Sequence, residues 1–119
     1  MSFREKFLEQ ASVYRKKQVD IEGIGAVEIR EPSAKRRSDI YKEATVVKGT
    51  GRDQQTISDP GKLSAYAIIF MAVDVETGKP VFDKADLDTL LNLPSTIFDK
   101  LAKPALEFLG EDEDAEKNS

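Results

Sequence analysis

Acids and glycines hold most of the chemical potential in this chain. Between Asp74 and Ala85, Asp74, Glu76 and Asp83 surround Gly78 in the manner of a calcium loop. A calcium loop needs its glycine at the sixth position and a bidentate glutamate at the twelfth. Here the glycine is fifth, a proline follows, and the twelfth residue is Ala85, so the segment reads as a plain turn. Gly23-Ile24-Gly25 opens like a dinucleotide fingerprint, but Glu28 stands where the third glycine belongs and strand periodicity follows. Gly49-Thr50-Gly51-Arg52 lacks the Gly-Lys-Ser/Thr that completes a phosphate loop. Asp83 and Asp86 form a carboxylate pair, yet no feature of the sequence encloses them in a cleft or raises a pKa.

What is missing narrows the field further. The 119 residues contain no cysteine, histidine or tryptophan. That removes disulfides, the usual zinc sites, Ser-His-Asp and Cys-His triads, and imidazole base catalysis. The expectation is a protein without catalytic activity, metal or cofactor. At 39% hydrophobic and 34% charged residues, the chain can bury one core beneath a strongly charged surface.

Of the net charge of −4, all resides in Glu111–Ser119, which holds five acids and one lysine. The remainder balances 17 acids against 17 bases. A neutral body does not favour nucleic acid. Two basic clusters, Arg15-Lys16-Lys17 and Lys35-Arg36-Arg37, have acids nearby and read as solvated faces. The first residues lack the apolar core of a signal peptide. The longest apolar run, Ala65 to Val73, is far short of a membrane span.

The elements that position these residues follow from periodicity. Ser2 and Glu5 form a capping box for a short helix to Ala11, with Phe3, Phe7, Leu8 and Ala11 on one face. So short a helix needs tertiary packing to persist. Val19, Ile21, Val27 and Ile29 alternate with Asp20, Glu22, Glu28 and Arg30 around the glycine pair, which predicts a β-hairpin. Val13 and Tyr14 are candidates to extend its first strand. Ser33 caps a helix to Ala44 or Val47, and a polar loop fills Lys48 to Pro60.

Lys62 to Val73 predicts a helix apolar on both sides, which must be buried on both sides, centrally or in part against another subunit. Its five largest apolar side chains contribute roughly 1.5–3 kcal/mol each on full burial. Beyond a turn, Asp83 caps a short helix to Leu91, and Ser95 caps another to Leu109. Pro104 is expected to kink or interrupt the latter near Lys100. The fold class is therefore α+β: an N-terminal hairpin, a mainly helical remainder over residues 1–110, and a disordered acidic tail over 111–119.

This order of segments resembles the tail assembly chaperones of lambda-like long-tailed bacteriophages. The likeness rests on Phe3-Arg4-Glu5-Lys6-Phe7-Leu8, the hairpin from Val19 to Glu31, and Ser33 to Asp39. It continues through the apolar helix ending in Asp74 and Gly78-Lys79-Pro80-Val81-Phe82 with Asp86-Leu87 to the closing leucine-rich helices. It implies a chaperone of the host cell cytoplasm that binds the tape measure protein and keeps it soluble. Such a protein recruits the major tail tube protein and is absent from the mature virion. It also implies a homo-oligomer associated with a longer, frameshifted form. The candidate partner or self-association surface is Leu63, Tyr66, Phe70, Met71, Leu101 and Phe108. Codons for Glu116-Lys117-Asn118 can spell a slippery run at which a ribosome could shift frame. The alternatives are a small structural tail or neck component, or a regulatory nucleic-acid-binding protein.

Overall fold

The computed structural model describes residues 2–111. The acidic tail from 112 onward and the frameshift codons lie outside them. An α+β fold results, in which a small antiparallel sheet packs on a helical layer.

The hairpin forms as its alternation dictates. Strand β1 (Lys16–Ile21) pairs antiparallel with β2 (Gly25–Arg30), with Val19 opposite Val27 and Lys17 opposite Ile29. Val19, Ile21 and Ile29 are buried, while Gln18, Asp20 and Arg30 face water on the other side of the pleat. Val13 and Tyr14 precede the strand and are exposed rather than extending it.

Helix α2 (Ala34–Ala44) starts at Ser33, whose Oγ accepts the Arg36 N–H at 3.1 Å. Helix α3 (Pro60–Met71) starts at Asp59, whose Oδ1 accepts the Lys62 N–H at 3.1 Å, with Pro60 at the first helical position. Leu63, Ala65, Ala67, Ile68, Ile69 and Met71 of α3 are buried. They lie among α2, the sheet, α4 (Leu87–Leu91) and α5 (Ser95–Leu109). The two-sided apolar helix is thus the centre of the core. Ile29, Ile40, Ile68, Met71 and Leu90 are its largest fully buried side chains.

Four local expectations change. The long apolar helix stops at Met71, and Ala72–Asp74 becomes β5, the third strand, paired antiparallel with β2. A free edge of β2 offers hydrogen bonds that a continued helix would leave unmade. The expected loop from Lys48 to Pro60 is instead largely a second hairpin. Its strands are β3 (Thr45–Lys48) and β4 (Gln55–Ser58), and the helix before it ends at Ala44. Gly49 adopts φ 88°, and a Cβ there would sit 2.5 Å from the Asp53 carbonyl oxygen, so the turn requires glycine. Pro104 does not interrupt α5, which runs continuously through it. The Lys100 carbonyl loses its usual donor there, but Lys100 is exposed and water can supply one. Pro94, not Ser95, occupies the N-cap of α5.

The radius of gyration is 16.5 Å, against about 13.5 Å for a compact chain of this length. Helix α1 (Phe3–Gln10) accounts for part of the difference, since none of its residues is buried. The β3–β4 hairpin contributes too, with Val47 and all of β4 exposed.

Candidate partner-binding surface

The six candidate surface residues divide between core and surface. Leu63, Met71 and Leu101 are buried in the single hydrophobic core to which α3 and α5 both contribute. Tyr66, Phe70 and Phe108 are half-buried and expose part of their rings.

Tyr66 and Phe70 are four residues apart on α3, which places them on one face. Their ring centroids are 6.4 Å apart. Cations frame this pair. Lys84 Nζ lies 5.9 Å from the Phe70 centroid and donates to Glu43 Oε1 at 2.6 Å. That bond, with the Glu43 charge, raises the Lys84 pKa above its ordinary value. Arg36 Nη1 donates to the Phe70 carbonyl oxygen at 3.1 Å.

Phe108 has a different neighbour. The Arg15 guanidinium covers its ring at 5.2 Å and pairs with Glu31 at 2.8 Å. The Arg15 hydrogen bonds, first that of the side chain, hold the Glu31 carboxyl below its usual range.

A larger apolar surface lies on α1. Ser2 Oγ accepts the Glu5 N–H at 3.2 Å and starts the helix. Phe3 and Phe7 then stack at 5.6 Å between centroids. Phe3 is 82% exposed, Phe7 53% and Leu8 47%, and Val13 and Tyr14 beyond the helix are exposed as well. Single exposed apolar residues are ordinary, but five within twelve positions on a projecting arm are not. The sequence shows the apolar face of α1. Its lack of a resting place on the body depends on tertiary structure.

Among the described residues there is no group of three or more side chains able to hold a metal, and no helix is long and apolar enough to cross a membrane. The Asp74 to Lys79 segment is a tight turn. Asp74 Oδ1 accepts the N–H groups of Glu76 at 2.8 Å and Thr77 at 3.0 Å, and Gly78 takes φ 73°. These bonds lower the Asp74 pKa, that from Thr77 first.

Comparison with curated proteins gives no match. Among solved structures, the tail assembly chaperone of bacteriophage HK97 shares the fold. Its TM-score is 0.51 at 19% identity, with 91% of this chain and 99% of that one covered. The profile of the family described as phage tail assembly chaperone matches residues 2–118. With nearly its whole length inside that profile, this chain belongs to the phage tail assembly chaperone family.

Proposed function

We propose that this protein binds the tape measure protein during tail assembly, keeps it soluble and helps recruit major tail tube subunits to it. It acts in the host cytoplasm, without catalysis or cofactor, and leaves before the virion is complete. The observation that carries this reading is the unburied apolar face of α1, Phe3, Phe7 and Leu8, held on an arm clear of the core. An amphipathic helix with no intramolecular partner is suited to bury its face against apolar segments of another chain. Tyr66, Phe70 and Phe108, supported by Leu63, Met71 and Leu101, provide the second surface, for partner or self-association. Several copies, together with a longer frameshifted form, would cover a long client. Light scattering over a wide concentration range reads the oligomer, and a strict monomer throughout would remove that part.

Co-expression with the tape measure protein tests the whole reading. The soluble yield of the tape measure protein should rise with the wild-type chain. It should fall back with Phe3→Ser/Phe7→Ser, a variant that leaves the core untouched. An unchanged yield with the wild-type chain rejects the proposal.

A further inference from the structure

Helices α2 and α5 meet at a shallow pocket of about 370 Å³, lined by Ala34, Arg37, Ser38, Tyr41 and Leu109. Ala34, Ser38 and Tyr41 follow at helical spacing and form one line along α2. Lys35 and Lys42 border this line on one flank and Arg37 on the other, by the same spacing. Asp39 and Glu43 lie further round the helix, and Glu43 is bonded to Lys84. Arg36 is committed to the Phe70 carbonyl. Lys35, Arg37 and Lys42 have no carboxylate partner among the described residues.

The chain itself runs into this strip. Gly110 turns left-handed at φ 88°, and the Glu111 N–H donates to the Leu106 carbonyl at 2.8 Å. That brings Glu111 Oε1 to 2.7 Å from the donating Tyr41 hydroxyl. Partial burial, then the Glu111 bond and charge, push the Tyr41 phenol up to about 12, against the opposing charge of Arg37. Next in sequence come Asp112, Glu113, Asp114 and Glu116, interrupted only by Ala115.

We propose that this strip of α2 is a docking site for an acidic peptide, and that its resident occupant is the chain's own segment 112–116. Charge selects the occupant: a run of acids follows Glu111, and the strip presents three cations against one neighbouring acid, Asp39. Length allows it. Five extended residues span about 16 Å, and the 11 residues of α2 also span about 16 Å. Exposed ion pairs are individually weak. Tethering at Glu111 supplies an effective concentration in the millimolar range, so docking needs no high intrinsic affinity. The contact is screened by salt. An acidic segment of another protein would have to displace the tail to reach the same cations.

The chain has no cysteine, so Ser119→Cys takes a single spin label. Amide signals of the isotope-labelled full chain are then compared with the label oxidised and reduced. Broadening should concentrate on Lys35, Arg37, Ser38, Tyr41 and Lys42, leave α1 and the β3–β4 hairpin unaffected, and weaken several-fold as salt is raised. Lys35→Glu/Arg37→Glu should abolish it while the remaining spectrum keeps its folded dispersion. No broadening on α2, even broadening over the whole surface, or broadening that survives both salt and charge reversal would each overturn the proposal. Mixing spin-labelled, isotopically silent chain with isotope-labelled, spin-free chain distinguishes the sources. Broadening that persists there comes from another copy's tail and overturns the intramolecular assignment.

Discussion

Helices α1 and α3 carry comparable aromatic and aliphatic side chains and have opposite fates. In α3 the apolar residues run all the way round, and the body closes on them until Ala65, Ala67 and Ile68 have no exposure at all. In α1 the apolar residues occupy one face of eight residues, and no other element closes on that face. One helix therefore holds the fold together, and the other gains little from it. A helix as short as α1 is marginal alone. Its persistence within the chain depends on local devices, the Ser2 cap and the Phe3–Phe7 stack.

The comparison breaks most clearly under truncation. Ile68→Ala should destabilise the protein by about 2–5 kcal/mol, since Ile68 is fully buried in the core. Phe7→Ala removes a larger side chain and should change global stability by no more than about 0.5 kcal/mol. Urea denaturation of the two variants beside the wild type reads both values. A loss at Phe7 approaching that at Ile68 would mean that α1 packs on the body in solution.

This contrast also marks how far the sequence was legible. The double-sided apolar pattern from Leu63 onward identified the central helix, because a helix of that composition has nowhere else to go. Alternation around Gly23 and Gly25 identified the β1–β2 hairpin, and Ser2 and Ser33 started their helices as expected, whereas Asp83 caps a 3-10 turn, Lys84–Asp86, that leads into α4. The end of α3 was not legible. Ala72 and Val73 continue the apolar run without a break, and only the edge of β2, more than forty residues earlier in the chain, makes them a strand. The β3–β4 hairpin was equally hidden. Its strands are four residues each, β4 exposed throughout and β3 half-buried only at Thr45 and Val46, so burial imprinted no alternation on them. At the surface, α3 and α5 were recognised as apolar, but which of their residues face outward depends on how three other elements pack. Leu63, Met71 and Leu101 turned inward, and Tyr66, Phe70 and Phe108 only half outward.

A smaller effect separates the two helices at their caps. Asp59 accepts the Lys62 N–H and anchors the start of the core helix, so Asp59→Ala should cost about 0.5–2 kcal/mol of global stability. Ser2 makes the equivalent bond in α1. Ser2→Ala should leave the urea midpoint unchanged and lower only the helical signal in circular dichroism, by the share that α1 contributes. Equal shifts of the midpoint would show that both helices belong to one cooperative unit, contrary to their burial.

The smallest effect is one of pH, and it belongs to the body alone. Asp74 ends β5 and accepts two backbone N–H groups, which favour its charged form and hold its pKa below the ordinary aspartate value of 3.8. A carboxyl with a depressed folded pKa contributes stability that is fully present above its unfolded value and is lost as pH falls through the folded one. The loss should therefore begin near pH 4 and grow below it. Glu31 contributes with the same sign, because Arg15 lowers its pKa too. Asp74→Asn keeps an oxygen that can accept from Glu76 and Thr77 but removes the charge. Its urea midpoint should lie closer to that of the wild type at pH 3 than at pH 6. Because the turn is exposed, the difference at pH 6 should be modest. If wild type and Asp74→Asn lose stability in parallel on acidification, the Asp74 turn is not a source of the acid sensitivity. The helical signal of α1, which does not touch this turn, should be indifferent to the substitution at every pH.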